Sequence, residues 1–420
     1  MVALSASAQI SNTLSPYSQF GMGVLSDQSL GFNRGMGGVA MGLRDGKTVN
    51  MQNPASYSAI DSLTMIIDAG VSGQITNFKE SGRKVNAKTG QFDYAVALFR
   101  VMPKLGVSIG VVPFSNIGYN YENYEVESET LRTITTHSGS GGFSQAFLGI
   151  GFEVLKGLSV GANFSYLWGN YTRSVVPTQN ITAAMTQTLL YTASVSSYKL
   201  DFGVQFQQSL NKNNKLTLGA TIGVGHRMTG DAHFITSLTD PNGASFPPDT
   251  LSIEDAFHLP MSFGVGATLL HKQKLLIGVD YSLQQWGKLD FPAVIKGSDK
   301  THYQPASGML KNRHKVALGV DWVPTTNMLT RNYLKLIHYR AGVSYATPYY
   351  KIGTLDGPKE LTLSAGFGIP IINTWNTRSV LNITAQWVHT SARDLVTENS
   401  FRLTLGLTFN ERWFAKWKVD

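Results

Sequence analysis

The segment FRLTLGLTF, residues 401–409, alternates strictly between large apolar side chains and polar or small ones. This period of two predicts a β-strand, because successive side chains of a strand point to opposite faces of a sheet. One face carries only Phe401, Leu403, Leu405, Leu407 and Phe409, and the other carries Arg402, Thr404, Gly406 and Thr408. Such a strand separates an apolar environment from a polar one.

The same alternation recurs upstream and predicts about 14 strands in all. They are 63–71, 94–98, 105–111, 146–152, 158–168, 200–206, 216–224, 261–269, 275–283, 316–322, 337–345, 361–369, 381–387 and 401–409. Short connections fall near 102–104, 154–157, 209–214, 271–274, 324–333 and 370–378. Long polar connections fall near 77–90, 115–142, 170–196, 229–257, 287–312, 346–358 and 390–398. An even strand number with this asymmetry is typical of outer-membrane barrels.

We therefore predict an all-β fold in which residues 62–410 form a transmembrane antiparallel β-barrel of about 14 strands. The expected location is the outer membrane of a diderm bacterium, with both barrel ends on the periplasmic side and outer-membrane lipid around the wall. Charged residues of the polar face, such as Asp68 and Arg402, should face the lumen, because an Arg or Lys facing lipid costs about 2–4 kcal/mol at the midplane. The alternation alone also fits a soluble β-sandwich, but strand number and loop asymmetry favour the barrel.

The composition fits this prediction and excludes several other classes of protein. The 420 residues are 42% hydrophobic with a mean hydropathy of -0.06, and no run of about 18 apolar residues predicts a spanning helix. Cysteine is absent and HExxH does not occur, and we predict no catalytic residue, metal site or cofactor. The net charge of +8 is dispersed along the chain, which argues against nucleic-acid binding.

The two termini carry their own signals. MVALSASAQ, residues 1–9, is similar to the end of a secretory signal with Ala6-Ser7-Ala8 as the cleavage site, so residues 1–8 are predicted to be its remnant. A short disordered terminus is the alternative. Residues 411–420 mix aromatic and basic side chains and are predicted to form a tail at the periplasmic membrane interface, with partner docking as the alternative.

Residues 9–61 differ from everything that follows. LGFNRGMGGVAMGLRDGKTVNMQNPASYS, residues 30–58, is rich in glycine and has neither helical nor strand periodicity. It imitates a dinucleotide fingerprint and a P-loop ending, but both lack the required strand, helix or upstream glycine. We predict that residues 9–61 form an N-terminal plug (hatch) in the lumen, with a fixed turn at Asn53-Pro54-Ala55.

Two segments resemble FadL-type outer-membrane transporters for hydrophobic compounds. The hatch motif of that family is matched by Gly35, Gly37, Gly38, Asp45, Asn53 and Pro54. LGVSIGVVPF, residues 105–114, resembles the third strand of the family, which ends in Pro-Phe. The resemblance implies a fourteen-stranded barrel with a hatch and a lateral opening at a kinked third strand. Pro113 and Phe114 are the candidates for this opening, although Pro113 could instead simply end its strand.

The resemblance implies passive transport of hydrophobic small molecules, either long-chain fatty acids or aromatic and other apolar compounds, with hatch-gated lateral release. The expected ligand-binding residues are Phe32, Met36, Met41, Val49, Met51 and Asn53. The alternative is a non-transporting barrel that acts as a protein-interaction or secretion-associated platform, with a protein partner at its long outer loops. We expect a monomer, because a closed barrel has no free edge.

Overall fold

A computed structural model describes residues 13–62, 64–80, 82–126, 131–181, 184–296, 301–327, 330–371 and 379–412. The helices are short: α1 (Gly31–Arg34) and the 3₁₀-helices η1 (Pro16–Gln19), η2 (Pro54–Ala59), η3 (Trp286–Lys288) and η4 (Tyr333–Leu336). The predicted signal remnant, 1–8, and all but the first two residues of the predicted tail, 411–420, lie outside the described residues. None of the described helices is long and apolar enough to cross a membrane.

The strands of the first half of the chain are β1 (Val24–Leu25), β2 (Thr64–Glu80), β3 (Arg83–Met102), β4 (Leu105–Val126), β5 (Arg132–Leu155), β6 (Leu158–Gln179), β7 (Thr186–Ser209), β8 (Asn214–Gly223) and β9 (His226–Thr239). Those of the second half are β10 (Asp249–Ile253), β11 (Phe257–Leu259), β12 (Ser262–His271), β13 (Leu275–Gln284), β14 (Phe291–Lys296), β15 (Thr301–Ala306), β16 (Arg313–Trp322), β17 (His338–Ala346), β18 (Lys351–Ile352), β19 (Leu355–Asp356), β20 (Lys359–Ile371), β21 (Ser379–Ser391) and β22 (Thr397–Arg412).

These strands build a closed antiparallel barrel with fourteen wall positions. β8 and β9 both pair with β7 and act as one wall strand, and β10, β11 and β12 together form the next. β22 pairs with β2 from Thr64↔Arg412 to Lys79↔Thr397, which closes the wall. Every predicted strand segment overlaps a wall strand, so the barrel prediction is confirmed and the sandwich alternative is wrong.

The two faces of the wall carry the polarity of a membrane barrel. Outward-facing apolar side chains are exposed on strand after strand, among them Ile67, Val71, Leu148, Phe164, Phe202, Val265, Val279, Leu318, Leu363, Leu403 and Phe409. The charged residues Asp68, Asp280 and Arg340 are buried on the inner side. Since lipid favours the first set and rejects the second, this apolar belt is the surface that lies in the membrane.

The predicted long loops are largely wrong, because the strands continue through them. β4 and β5 run to Val126 and from Arg132, so that almost all of the predicted loop 115–142 is ladder. β14 with β15 and β18 with β19 add small hairpins at the same end. Beyond the apolar belt no lipid imposes an apolar outer face, so the alternation fades although the backbone pairing continues. We call this the long-loop end and the opposite one the short-turn end.

Residues 13–61, called the luminal segment from here, pack against the inner face of the wall. The contact is made by glycines of many wall strands, which bring backbone against backbone. A Cβ at Gly219 would lie 1.8 Å from the carbonyl oxygen of Met41, and one at Gly342 would lie 2.1 Å from the nitrogen of Gly37. A Cβ at Gly161 would lie 2.4 Å from the carbonyl carbon of Pro54. The inner wall therefore needs residues without side chains at these positions.

Gly219→Ala should loosen the luminal segment. The added methyl group collides with the Met41 backbone, and overpacking of this kind typically costs about 1–3 kcal/mol. We expect faster trypsin cleavage in the segment, which contains Arg44 and Lys47. Gly73→Ala is the matched control, since a Cβ there meets nothing within 4 Å. Equal cleavage rates for both variants would show that wall glycines do not hold the segment.

Candidate functional site

The wall is interrupted between β3 and β4. Their ladder runs from Met102↔Leu105 to Ala95↔Val111 and stops there. β3 nevertheless stays paired with β2 as far as Arg83, and β4 stays paired with β5 as far as Val126. Among the described residues, β3 and β4 thus stop pairing with each other partway along the wall, and the edges that they turn toward each other lack a ladder. We call this break the lateral gap.

The lateral gap lies within the apolar belt. It begins opposite Gly70 and Val71 of β2, whereas the exposed apolar side chains of β2 and β22 continue further toward the long-loop end, to Ile75 and Phe401. An unpaired strand edge at this depth is unusual, because lipid offers no hydrogen bonds to backbone groups. The break in the ladder therefore lies at the level of the membrane.

A β-bulge marks the β3 side of the gap. Tyr94 pairs with Gly70 and Phe92 pairs with Val71, so Asp93 has no residue opposite it. A bulge re-aims side chains, and here Asp93 and Tyr94 are both buried inward although they are consecutive.

Both side chains hold the luminal segment. The Arg34 guanidinium lies 2.6 Å from the Asp93 carboxylate, and each side chain is at most 2% exposed. The Gly31 N–H donates to the Tyr94 hydroxyl at 2.7 Å. Tyr94 in turn donates to Asp68 at 3.1 Å. The wall is thus tied to the segment at the level where the gap begins.

The β4 side of the gap is covered by the luminal segment itself. Pro113 pairs with Ser144 and Ser115 with Phe143, so Phe114 is the bulged residue. The Gln28 side chain donates to the Pro113 carbonyl at 2.9 Å, and the Ser26 N–H donates to the Phe114 carbonyl at 2.9 Å. β4 continues well past Pro113, so the alternative that Pro113 ends the strand is wrong.

β1 completes this cover. Val24 pairs with Asn116 and Leu25 pairs with Ser115, both antiparallel. The other edge of β4 is occupied by β5 throughout, so β1 occupies the edge that faces β3. Next to the bulge, the β4 edge that lacks a wall neighbour is therefore hydrogen-bonded from inside the barrel, at Pro113, Phe114 and Asn116.

Behind the gap lies a polar chamber with a volume of ≈ 310 Å³. Seven glutamines line it: Gln28, Gln52, Gln74, Gln91, Gln145, Gln284 and Gln386. Charged side chains also line the chamber, among them Arg313, Lys315, Arg402, Glu360 and Glu398. Its surface suits polar groups, and an apolar molecule gains little by residing there.

An aromatic cluster closes the barrel at the long-loop end. Phe143, Phe257 and Trp286 are each 1% exposed, and they pack with rings that include Tyr171, Phe291, Tyr349 and Tyr350. Burial raises the pKa of the Tyr349 hydroxyl well above its usual value, so the hydroxyl stays protonated and donates to the Gly23 carbonyl. Leu25 and Phe114 pack against the same cluster. The cluster therefore extends from the long-loop end to the edge of the gap.

The structure distributes the six predicted ligand residues over several environments. Phe32 and Met36 pack with Leu43, whereas Val49 and Met51 belong to a separate cluster around Tyr57. Met41 accepts a hydrogen bond at its sulfur from Thr221, and Asn53 donates to the Met41 carbonyl at 2.8 Å. All six are buried among protein atoms, and their role as ligand contacts stays a prediction.

Four residues of the predicted hatch motif determine the local backbone conformation of the luminal segment. Gly37 and Gly38 have φ values of +67° and +86°, which favour glycine. Asn53 caps η2 by accepting from the Ala55 N–H, and Pro54 is the first residue of η2, which confirms the predicted turn.

Gly35 and Asp45 lie nearer the short-turn end. A Cβ on Gly35 would lie 3.2 Å from the Cβ of Arg340. Asp45 lines a second cavity of ≈ 790 Å³ together with Phe32, Asp321, His338 and Arg340. The motif thus spans the luminal segment from its contact with the wall to this second cavity.

A family model described as BamG matches residues 1–420, the whole chain. The chain belongs to the BamG family. No curated protein matches the sequence.

Solved structures show the relationship of the BamG-family fold to FadL-type barrels. The toluene transporter TbuX of Ralstonia pickettii is similar with a TM-score of 0.63 and 12% identity, over 91% of this chain and 97% of that one. The toluene transporter TodX of Pseudomonas putida gives a TM-score of 0.63 and 13% identity, over 93% and 100%. A FadL homologue of Pseudomonas aeruginosa is similar with a TM-score of 0.56 and 13% identity, over 93% of this chain and 99% of that one. At these identities the likeness establishes the fold, and the predicted resemblance to FadL-type barrels is confirmed at the level of the fold.

Sequence reasoning missed Arg34, Asp93, Tyr94 and the residues 24–28. The sequence carries no signal for the bulge, because QFDY alternates without interruption through Asp93 and Tyr94 and the following AVAL is apolar throughout. Nothing in the sequence indicates that Val24 and Leu25 pair with β4, because two residues carry no periodicity.

Arg34→Met should destabilise the protein strongly. It leaves the Asp93 carboxylate buried without its cation, and removal of one member of a buried ion pair typically costs about 3–5 kcal/mol. We expect a lower urea midpoint in detergent, followed by tryptophan fluorescence, and partial recovery in the double variant with Asp93→Asn. Asp356→Asn is the control, because the Lys311–Asp356 pair is largely exposed and its loss should leave the midpoint unchanged. Equal shifts for Arg34→Met and Asp356→Asn would contradict the role of the buried pair.

Proposed function

We propose that this barrel passively transports hydrophobic small molecules across the outer surface of the outer membrane and releases them sideways through the lateral gap. The single observation that carries the proposal is the β3–β4 ladder that stops inside the apolar belt. The long-loop end is then extracellular, and the two chain ends of the barrel, the start of β2 and the end of β22, face the periplasm. The fold shared with the toluene transporters supports the same function.

The distribution of polarity supports a sideways rather than an axial route. The aromatic cluster makes the interior apolar at the long-loop end, and Leu25 and Phe114, which pack against it, extend this apolar region to the edge of the gap. The chamber below is lined by glutamines and charged groups. For an apolar solute, entering the membrane through the gap therefore costs less free energy than crossing the polar chamber.

Gating by the luminal segment is part of the proposal. Arg34 and Gly31 tie the segment to the bulge at the gap, and residues 24–28 cover the β4 edge. Any movement of the segment consequently changes the gap. Ligand contacts by Phe32, Met36, Met41, Val49, Met51 and Asn53 would bias that movement, since a ligand shifts an equilibrium only through unequal affinity for its two states.

Blocking the gap should abolish uptake. Gln91 lines the chamber and lies on the part of β3 that does not pair with β4. The chain has no native cysteine, so Gln91→Cys gives a single reactive thiol. Labelling it with a bulky maleimide should reduce the uptake of radiolabelled toluene or a long-chain fatty acid to that of cells lacking the protein. Leu363→Cys, on the lipid face of β20, is the matched control and should transport normally after labelling. Unchanged uptake after complete labelling of Gln91→Cys would rule out passage at the gap.

One observation favours the alternative of a protein-interaction platform. The aromatic cluster at the long-loop end is as deeply buried as a protein core, and an open channel would not need such closure. The hairpin formed by β2 and β3 also projects from the wall, and Lys84, Val85 and Lys88 are exposed on it. A partner protein could bind such a surface without anything passing through the lumen.

Native mass spectrometry on protein extracted gently from its own membrane distinguishes the two functions. A transporter should carry a small-molecule adduct that delipidation removes. A platform should carry a stoichiometric protein partner and no such adduct. The second result would replace the transport proposal, and the exposed hairpins of the long-loop end would become the site.

A further inference from the structure

β1 occupies a place on β4 that β3 would reach if its ladder with β4 continued. β3 and β1 are both antiparallel to β4 and both use the edge that β5 leaves free. β1 pairs with only two residues of that edge, Ser115 and Asn116. These two residues lie just past the point where β3 leaves β4.

The register of β3 leads to the same two residues. The ladder ends at Ala95↔Val111, so one more step brings Tyr94 opposite Val112. Past that point each strand carries one bulged residue, Asp93 in β3 and Phe114 in β4. Because one residue is skipped on each strand, the two bulges cancel. A continued ladder would therefore bring Gln91 opposite Ser115 and Gly90 opposite Asn116.

We propose that β1 and β3 are alternative partners for residues 115–116 of β4, and that β1 keeps the lateral gap open by occupying this edge. When β1 leaves, β3 pairs with β4 and the gap closes. The exchange replaces hydrogen bonds to Ser115 and Asn116 by bonds of the same kind. In both states these backbone groups therefore keep hydrogen-bond partners within the membrane. The inference rests on the proposed function only in taking the gap as the exit of the transported molecule.

The luminal segment connects this exchange to the wall. The Arg34 side chain donates to the Ser29 carbonyl at 2.9 Å, and the Ser29 hydroxyl donates to Asp27 at 2.6 Å. Asp27 follows β1 by two residues. A displacement of Arg34 from Asp93 therefore pulls on β1 through a short chain of contacts.

Two pairs of engineered cysteines report the two states in a chain that has no cysteine of its own. Leu25→Cys with Ser115→Cys reports β1 on β4. The Ser26–Phe114 hydrogen bond makes Leu25 and Ser115 a non-hydrogen-bonded pair, with Cα atoms about 4.5 Å apart, which a disulfide spans. Gln91→Cys with Ser115→Cys reports β3 on β4, because directly opposite residues lie within the same span in either kind of pair.

Ser26→Pro displaces β1. It removes the N–H that donates to the Phe114 carbonyl and the hydroxyl that accepts from Asn116 at 3.0 Å. We expect the first disulfide to form efficiently with Ser26 in place and to be lost with Ser26→Pro, while the second disulfide appears. Ser26→Ala keeps the N–H and should preserve the first disulfide. Heat-dependent migration on a denaturing gel confirms that each variant is folded.

Loss of the first disulfide without gain of the second overturns the proposal. If Ser26→Pro leaves the first disulfide intact, deletion of residues 24–25 removes β1 outright, and the second disulfide must then form. Its absence in that folded variant is equally decisive. Uptake is scored separately: exchange of disulfides with unchanged uptake supports the two partners of β4 and removes the gap as the exit.

Discussion

Backbone hydrogen bonding inside the membrane is the constraint on which the rest of the structure depends. A closed ladder satisfies every N–H and C=O group of the wall, and each break leaves groups that lipid cannot satisfy. This barrel breaks the β3–β4 ladder within its apolar belt and satisfies the β4 edge from inside, through Ser26, Gln28 and β1. The luminal segment is therefore a structural part of the wall as well as its filling.

The same constraint explains why the segment is fixed so firmly. Wall glycines allow backbone contact with Met41, Gly37 and Pro54, so the segment has few alternative positions. The Arg34–Asp93 pair then sets its position relative to the gap. A buried ion pair contributes little net stability compared with apolar packing, but its geometry is specific. Placing that pair on a bulge joins the position of the segment to the shape of the wall.

The sequence was sufficient for the barrel and insufficient for the gap, for physical reasons. Lipid on one face and a polar lumen on the other impose a period of two on each wall strand, and this period is legible from residues such as Phe401 to Phe409. Past the belt the outer face is no longer constrained, so the strand extensions of β4 to β7 were read as loops. The expected place of an opening, at Pro113 and Phe114, came only from the family resemblance. The cover of the gap depends on pairing between β1 and β4, which are about 90 residues apart, and pairing partners leave no local pattern. The backbone role of the predicted hatch motif could be read from the sequence, because Gly37 and Gly38 adopt positive φ values and Pro54 begins a 3₁₀-helix.

The two bulges at the gap have meaning only as a pair. Asp93 alone would shift β3 by one residue against β4, which would turn the apolar face of its outer half away from lipid. Phe114 alone would do the same to β4. With both present, the register on either side of the gap agrees, and Gln91 and Leu25 become equivalent neighbours for Ser115. A permanent break would place no constraint on the register of β3 and β4 past the bulges, whereas renewed pairing of the two strands requires that their registers agree.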